Sequence, residues 1–446
     1  MISQFIKGEE RRQFKDIIKA LALVTDLAEG YDAQHGYNVA LGAVQLGYYI
    51  NLPPESLRNL FYAGLLHDVG EVGFPKEEAY EDTDYFEWQF HPFIQRHTLV
   101  GERIVSQLPT LKKSSEFIRW HHESWDGSGY PDRLKKDAIP LEAQIIGLFD
   151  TFDIANSIYH DKQEMRRRLA PVLKQRFSPH LLQSFSKMLA ETELWTARNF
   201  NHTAWGQLGV DAVDLALLMD VKIDYFDLTL KVFANVIDTK HAYTKGHSVR
   251  VGALSRRIAE LMDFDHEEAK QVERAGFLHD AGKVGIPRCI LDKPGPLTDM
   301  EYAKIKAHPG MSAALLKTVQ CLSDHAPMVR HHHERFDGAG YPDRLRGEDI
   351  PLGSRILAVA DTYDAMTSDR AYRRGLSHQI AREEIKKYRN KMYDPDVVDA
   401  FLKLSEEEIL HVFATAEKQL YLSSNNSDSD RHVPEHRSSR DCLPDH

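Results

Sequence analysis

The sequence is poor in cysteine, with Cys289, Cys321 and Cys442 as its three examples in 446 residues. Because no two of them form a CxxC pair, we expect neither a disulfide framework nor a thiolate zinc site. Apolar runs are also short. None approaches the ~20 residues that span a bilayer, and the opening stretch MISQFIKGEERRQF lacks the apolar core and cleavage site of a signal peptide. We therefore predict a cytoplasmic protein without a membrane span.

Basic residues are outnumbered by acidic ones, and sequence patterns typical of β-strands are scarce as well. The chain has 56 Lys and Arg against 67 Asp and Glu, a net charge of −11, which is the wrong sign for a protein that binds duplex nucleic acid. A phosphodiester substrate would therefore need local cations. Alternating Val, Ile and Thr runs are few, whereas apolar residues spaced by three and four, such as Val249, Leu254 and Ile258, predict helices. The predicted fold class is all-α.

The chain repeats itself. AGLLHDVGEVGFP (63–75) matches AGFLHDAGKVGIP (275–287) at nine of thirteen positions, and WHHESWDGSGYPDRL (120–134) matches HHHERFDGAGYPDRL (331–345) at eleven of fifteen. The offsets are 212 and 211 residues. Two long matches at nearly one offset indicate a duplication, so we predict two tandem helical bundles of the same fold, called here the first copy and the second copy.

Composition and helical spacing predict how the chain is divided. A helix is expected from about 211 to 240, most simply as a packed core helix; a coupling or dimer helix, and with it a homodimer, is the alternative. Another short helix should begin at Thr298 or Asp299. The polar residues near the end lack periodicity and predict disorder. The predicted ranges are 1–165 for the first copy, 166–220 for a helical connector, 221–420 for the second copy and 421–446 for the tail.

Histidines and carboxylates of the second copy form a metal-binding pattern. His279 and Asp280 are adjacent, and the others follow or precede them in a fixed order. A lone histidine is usually a core or surface residue, but this order occurs twice in the chain. Nitrogen and carboxylate ligands suit iron, manganese or zinc, and a pair of ions can clamp a phosphoryl group. The candidates are His247, His279, Asp280, His308, His332, His333 and Asp361.

The second copy resembles the HD-GYP family, a branch of the HD phosphohydrolase superfamily. The resemblance rests on GHSVRV, HDAGKVGIP, KPGPLT, HHERFDGAGYP and IPLGSRILAVADTYDAMTSDRAYR, over about 240–415. It implies an HD-type helical bundle that hydrolyses a bacterial cyclic dinucleotide messenger, cyclic di-GMP or cyclic GMP-AMP, to the linear dinucleotide and then to mononucleotides.

The resemblance also implies a role for each residue. His247, His279, Asp280 and Asp361 would hold one ion, and Asp280 would bridge to a second ion on His308, His332 and His333. Two ions are expected, iron or manganese, because Tyr243 stands where some members have the glutamate of a third site.

Substrate would lie beside these ions. Lys283 would contact the scissile phosphate and Asp364 would orient that lysine. Arg370 and Arg373 would hold phosphate or guanine, contacts that suit the planar guanidinium. Gly338, Gly340 and Pro342 would shape a backbone turn near the site. Tyr341 would stack on the substrate or hydrogen-bond to it; core packing is an equal alternative for the tyrosine.

The first copy keeps the metal-compatible residues and loses two of the three cations, since Lys162 matches Arg373. Lys283 is matched by Glu71, which would place an anion against an anionic substrate, and Arg370 is matched by Tyr159. We therefore expect a metal-binding but catalytically weak copy that regulates or stabilises the second; activity on another substrate and purely structural packing are the alternatives. The matching positions are His35, His67, Asp68, His97, His121, His122 and Asp150.

Two other functions compete with hydrolysis of a cyclic dinucleotide. One is a metal-dependent module that binds the messenger with little turnover, which the lost lysine favours for the first copy and Lys283 opposes for the second. The other is a general HD phosphohydrolase acting on nucleotides, which the Gly340-Tyr341-Pro342 segment and Arg370 disfavour.

Overall fold

The structure is a computed structural model, and it describes residues 2–29, 35–72, 94–159, 161–191, 226–240, 246–293, 295–369 and 374–421. In these ranges the secondary structure is helical and contains no strand, which confirms the predicted all-α fold. No helix in the described ranges combines the length and the apolar character needed to cross a membrane.

The first copy contains long helices joined by short 3-10 turns, of which Val69–Glu71 follows Asp68 and Ile94–Arg96 precedes His97. Its α-helices are α1 (Ile2–Glu29), α2 (His35–Tyr49), α3 (Pro54–Leu66), α4 (His97–Val105), α5 (Lys112–Trp120), α6 (Leu141–Ile158), α7 (Lys162–Arg176) and α8 (Pro179–Glu191).

The second copy repeats this order, with the 3-10 turn Ala281–Gly285 in the place of Val69–Glu71. Its α-helices are α9 (Phe226–Thr239), α10 (His247–Glu260), α11 (His266–Leu278), α12 (Arg288–Leu291), α13 (Asp299–Lys306), α14 (His308–Lys317), α15 (Ala326–Arg330), α16 (Leu352–Thr367), α17 (His378–Lys387), α18 (Pro395–Phe401) and α19 (Glu406–Tyr421).

Equivalent helices pack together in both copies. In the first, α2 packs on α3 and α6; in the second, α10 packs on α11 and α16. The backbones of α10 and α11 approach closely at Gly276, where an added Cβ would lie 2.5 Å from the Cα of Gly252. Only glycine allows this approach, and it brings the end of α11 next to the start of α10. The two helix ends that carry His247 and His279 are held together in this way.

The two copies contact each other through equivalent helices. Helix α1 of the first copy packs on α9 of the second, and it also contacts the turn Ala281–Gly285. The ammonium of Lys240 donates a hydrogen bond to the carbonyl of Ala28 over 3.4 Å. Helix α9 is mostly buried, so the part of the predicted 211–240 helix that the structure describes is a packed helix, as the simpler interpretation expects. Residues 192–225 lie outside the described ranges.

The stretch predicted to open the connector packs on the first copy. The ring of Phe185 in α8 meets Phe149 and Phe152 of α6 edge-on, with centroids 5.5 Å apart, and Leu169 of α7 is buried. The division at 165 and 166 stays a prediction, and this packing favours assigning α7 and α8 to the first copy. Residues 422–446, most of the predicted disordered tail, lie outside the described ranges.

Of the two residues proposed to cap α13, Thr298 is the cap. Its hydroxyl accepts a hydrogen bond from the backbone N–H of Glu301, and the Glu301 carboxylate accepts one from the N–H of Thr298. This reciprocal pair satisfies two N–H groups that a helix start otherwise leaves open. Asp299 is the first residue of the helix.

Candidate metal centre

The seven candidate ligands of the second copy come from the ends of helices that converge. His247 begins α10, His308 begins α14, and His279-Asp280 directly follows α11. His332 and His333 follow α15, and Asp361 lies within α16. Residues spread over more than a hundred positions therefore meet at one place, as the sequence predicted for the set.

One group of ligand atoms surrounds Asp361 and the start of α10. His247, His279 and Asp280 offer ligand atoms that all lie within 4.8 Å of one another. The Nε2 of His247 is 3.3 Å from Oδ1 of Asp361, and the Nε2 of His279 is 3.3 Å from Oδ2 of Asp280. Two imidazoles and two carboxylates thus face a common point.

A second group lies on the other side of Asp280. His308, His332 and His333 offer nitrogens within 4.8 Å of one another. The Nε2 atoms of His308 and His332 are 3.3 Å apart, and the Nε2 of His308 is 3.2 Å from Oδ1 of Asp280. Since Oδ2 of Asp280 faces the first group and Oδ1 the second, this one carboxylate is shared between them.

The donor set fits a divalent ion. His279, His308 and His332 each donate Nδ1–H to a backbone carbonyl three residues earlier, at 2.7, 2.7 and 2.6 Å, which fixes the ring and leaves Nε2 as the lone-pair nitrogen. The Nε2 of His279 and Oδ1 of Asp280 are buried and form no hydrogen bond with any described residue. Buried polar atoms normally have partners, so these unsatisfied atoms support a bound cation.

Protonation of the histidines follows their surroundings. Burial, together with the charge of His308, lowers the pKa of His333 to about 3, and burial with the charge of His333 lowers the pKa of His332 well below its usual range. Burial also opposes the charged form of His247, but hydrogen bonds with Asp361 and Asp364 outweigh it and raise its pKa to about 10. Burial is likewise outweighed at His279, whose pKa the charge of Asp280 raises.

Metal loading is expected to release protons. The pKa of His247 is raised to about 10, so without an ion this histidine is protonated near pH 7, and an ion must displace that proton to bind the lone pair. The affinity for a divalent ion should therefore rise with pH up to about 10, where His247 titrates. Calorimetric titrations in two buffers of different ionisation enthalpy measure the released protons. An affinity independent of pH between about 6 and 9 would contradict this.

Lys283 lies at the shared carboxylate. Its ammonium is 2.5 Å from Oδ2 of Asp280, and its side chain is 22% exposed, which leaves it accessible to a substrate. The prediction that Asp364 orients Lys283 is wrong. Asp364 instead accepts a hydrogen bond from Nδ1 of His247 at 2.7 Å and pairs with Arg250, whose Nε is 2.6 Å away. The carboxylate lies on the far side of the His247 ring, away from the lysine.

Arg250 is a residue that the sequence reasoning missed. It lies one helical turn after His247 on α10 and also donates to Glu417 at 2.9 Å and to Ser368 at 3.2 Å. The available signal was its spacing of three residues from His247, which puts both side chains on one face of the helix. Arg250 therefore holds Asp364, and Asp364 holds the ring of His247.

The Gly-Tyr-Pro segment packs beside the second group. The ring of Tyr341 lies against His333, with centroids 5.0 Å apart and planes 36° apart. At Gly340 an added Cβ would lie 2.3 Å from the backbone nitrogen of Arg335, so the turn closes only without a side chain. The predicted substrate contacts Arg370 and Arg373 lie outside the described residues, as does Tyr243.

Replacing Gly340 with alanine is expected to destabilise the second copy by roughly 1–3 kcal/mol, because the new methyl group must push apart the backbone of the turn. The measurement is the urea midpoint of the full-length protein. Gly295→Ala is the matched control, since a Cβ there meets nothing within 4 Å. Equal midpoints for the two variants would show that the close approach at Gly340 is unimportant.

The first copy brings its seven equivalent residues together as well. His35, His67, Asp68 and Asp150 form one group, with ligand atoms within 4.8 Å of one another. The second group consists of His97, His121 and His122, whose ligand atoms also lie within 4.8 Å of one another. The Nε2 atoms of His97 and His121 are 3.2 Å apart, and Oδ1 of Asp68 is 3.7 Å from the Nε2 of His97.

Glu71 differs from the prediction for it. The sequence suggested an anion that faces the substrate; the structure buries Glu71 among the ligands. Its carboxylate forms a third group with Asp68 and His97, again within 4.8 Å, and its Oε1 is 3.6 Å from Nδ1 of His97. Burial, with the charges of Asp68 and Asp150, raises its pKa well above the usual range.

Comparison with known proteins agrees with this geometry. A family model described as HD domain matches residues 17–177 and 231–397. The 3'3'-cGAMP-specific phosphodiesterase 3 of Vibrio cholerae is 25% identical over 440 residues, which cover 87% of this chain and 94% of the relative. The 3'3'-cGAMP-specific phosphodiesterase 1 of the same organism is 29% identical over 406 residues, covering 84% and 88%.

A further relative and a solved structure are also similar to this chain. The cyclic di-GMP phosphodiesterase of Thermotoga maritima is 38% identical over 213 residues, 47% of this chain and 57% of that protein. A crystal structure of a cyclic GMP-AMP specific phosphodiesterase from Vibrio cholerae superposes with a TM-score of 0.57 at 23% identity, covering 88% of this chain and 98% of the other. This superposition supports the fold. The chain belongs to the HD-domain family and carries the domain in two tandem copies, the second with the HD-GYP signature.

Proposed function

We propose that the second copy is a metal-dependent phosphodiesterase that hydrolyses a cyclic dinucleotide. The observation that carries this proposal is Asp280, a buried carboxylate shared by two groups of histidines with the ammonium of Lys283 on one of its oxygens. A site of this kind suits attack on a phosphodiester, and the relatives that align with this chain are named as phosphodiesterases of cyclic dinucleotides.

Two ions are proposed at this site, iron or manganese. His247, His279, Asp280 and Asp361 would hold one, and Asp280 with His308, His332 and His333 the other. When bound, the ions supply Lewis acidity and a nucleophilic water near neutral pH. The ligand types support both metals equally, because imidazole and carboxylate accept each of them.

The protein's own residues orient these groups and balance charge. Backbone carbonyls hold three of the imidazoles, and Asp364 with Arg250 holds a fourth, His247. Lys283 contributes a positive charge next to the shared carboxylate, where it stabilises charge that develops on phosphate oxygens. Arg370, Arg373, Gly340 and Tyr341 are proposed substrate contacts. The turnover product is the linear dinucleotide, with mononucleotides after a second cut.

Cyclic GMP-AMP is the substrate that we favour over cyclic di-GMP. The two relatives that align along most of both chains carry the name of 3'3'-cGAMP, whereas the cyclic di-GMP phosphodiesterase of Thermotoga maritima aligns over 47% of this chain.

The first copy is proposed to be non-catalytic and to stabilise or regulate the second. Glu71 stands in it where the second copy has Lys283, and α1 of the first copy packs against α9. We place α7 and α8 with the first copy, up to Glu191, and the second copy from α9 onward. No role for duplex nucleic acid is proposed, given the net charge of −11. A cytoplasmic location and a homodimer stay predictions.

The experiment compares turnover of cyclic GMP-AMP and cyclic di-GMP by anaerobically purified protein supplied with ferrous iron or manganese. His279→Ala/Asp280→Ala is the control. Linearisation by the wild type and not by the control supports the proposal, and the faster substrate decides between the two nucleotides. If folded, metal-loaded protein cleaves neither, the hydrolase proposal is wrong, and a module that binds the messenger without turnover takes its place.

A further inference from the structure

We propose that Glu71 is a metal ligand in the first copy, where it replaces His122 and closes the centre against substrate. The metal ion would be held by Glu71 together with Asp68, His97 and His121. This inference concerns the first copy and does not depend on catalysis by the second.

The local fold places Glu71 at the metal position. The 3-10 turn Val69–Glu71 follows directly after Asp68, and all three of its residues are buried. The carboxylate of Glu71 is buried, and its ligand atom lies within 4.8 Å of those of Asp68 and His97. Carboxylate oxygen and imidazole nitrogen are both ligand types that a divalent ion such as manganese accepts.

A neighbouring histidine points to a cation in the adjoining group, on the other oxygen of Asp68. His67 is 1% exposed. Its Nδ1 donates to the carbonyl of Gly64 over 2.8 Å, so Nε2 carries the lone pair of the neutral ring. This Nε2 forms no hydrogen bond with any residue in the described ranges. A buried lone pair directed at carboxylates is satisfied when a cation lies between them.

Arg176 makes His122 unavailable as a metal ligand, so another ligand has to replace it. This buried arginine donates from Nη2 to Nδ1 of His122 over 3.1 Å, and from Nη1 to the hydroxyl of Thr151 over 3.0 Å. An imidazole that accepts at Nδ1 carries its proton at Nε2 in the neutral form. Neither nitrogen then has a lone pair for a metal, so the hydrogen bond removes His122 from the ligand set.

The second copy lacks this arginine. The backbone N–H of Trp125 donates to the carbonyl of Arg176, and the equivalent bond joins Phe336 to Met392. Since Trp125 and Phe336 are matched in the repeat, Arg176 occupies the position of Met392. Methionine leaves His333 available as a ligand. The changes to Glu71 and Arg176 therefore form a pair: one ligand is lost and another is gained.

Charge distinguishes the two centres. Asp68, Asp150 and Glu71 give the first copy three carboxylates close to its histidines, whereas the second copy has Asp280 and Asp361 with the ammonium of Lys283. The first centre also has the guanidinium of Arg176, on His122, so each centre has one cation and the first has one more carboxylate. With the same ions, the first centre therefore has less positive charge for an anionic substrate. A centre whose coordination is completed by protein ligands is typical of structural metal sites, whereas catalytic sites keep a position open.

The experiment measures metal binding, with turnover as a separate readout. Full-length protein carrying His279→Ala/Asp280→Ala has no second-copy centre, so its bound manganese reports the first copy alone. Manganese affinity is measured by calorimetry and content by elemental analysis. Glu71→Gln keeps the shape of the side chain and should weaken the manganese affinity of the first copy at least about tenfold. Replacing a residue that only hydrogen-bonds to a metal ligand already weakens metal affinity by that factor. Circular dichroism without metal verifies that each variant is folded.

Arg176→Met tests the exchange of ligands. Added to Glu71→Gln, it makes His122 available again and should recover most of the lost affinity. His67→Ala/Asp68→Ala is the zero-binding reference. An unchanged affinity in folded Glu71→Gln protein would overturn the assignment of Glu71, and failure of Arg176→Met to restore binding would overturn the exchange with His122.

The test of Glu71 as a metal ligand can be distinguished from the test of the proposed hydrolysis by the second copy. A chain with Glu71→Gln and an intact second copy should still hydrolyse its cyclic dinucleotide. If the parent with a disabled second copy binds no manganese, the first copy has no metal centre and the inference fails, while hydrolysis by wild-type protein is unaffected. If hydrolysis fails in wild-type protein, manganese binding by the first copy still tests Glu71.

Discussion

Replacing Asp280 with asparagine is expected to lower the turnover of the cyclic dinucleotide by more than about 100-fold. Removing an outer-shell partner of a metal ligand already lowers activity or metal affinity 10–100-fold. Among the described residues, Asp280 is the carboxylate shared by both groups, with Oδ1 3.2 Å from His308 and Oδ2 3.3 Å from His279. Asparagine keeps the size of the side chain and loses the charge and one of the two oxygens. The measurement is kcat together with bound metal per chain.

The first copy supplies the matched control. Asp68 occupies the equivalent place, with Oδ2 3.1 Å from Nε2 of His67. Asp68→Asn should reduce the metal bound by the chain and leave most of the turnover. If it instead abolishes turnover in folded protein while Asp280→Asn is tolerated, the copies have been assigned the wrong way round.

Replacing Lys283 with methionine is expected to lower kcat by roughly 10²–10³-fold, the usual loss when one donor to a developing anion is removed. Methionine keeps an extended side chain without charge. The structure places the ammonium on Asp280 and not on a histidine, so the histidine groups should still bind metal. The expected signature is a lower kcat with unchanged metal content, which separates this role from that of a ligand.

A lysine outside the centre serves as the control. Lys293 pairs with Glu301, 2.7 Å from its Oε2, and Lys293→Met should leave kcat unchanged. Loss of metal from Lys283→Met would indicate that the lysine acts by holding Asp280 in place. An unchanged kcat would remove Lys283 from the proposed chemistry.

The fold and the convergence of the site residues were predictable because both copies carry the same sequence pattern. An offset of 212 residues aligns His35 with His247 and His67 with His279 in the sequence, and the structure brings each set together. Helical spacing predicted the fold class because buried faces of helices repeat every three to four residues. Because the chain contains two copies, this helical spacing occurs twice.

The partners of Asp364 and Glu71 were not predictable in this way. Which side of an imidazole a carboxylate reaches depends on how two helices are rotated against each other, and spacing along the chain does not contain that rotation. Asp364 therefore lies behind His247. Arg176 was missed because its counterpart, Met392, is found through backbone hydrogen bonds at an offset that the matched segments do not share.

The contact between α1 and α9 has a consequence for the history of the chain. Helix α9 is buried along most of its length, and part of its cover is the first helix of the other copy, which also touches the turn that carries Lys283. Deleting the first copy would uncover that apolar surface. The second copy therefore depends on the shape of the first even where the chemistry of the first has diverged, and a chain cut back to the second copy would have to repack α9.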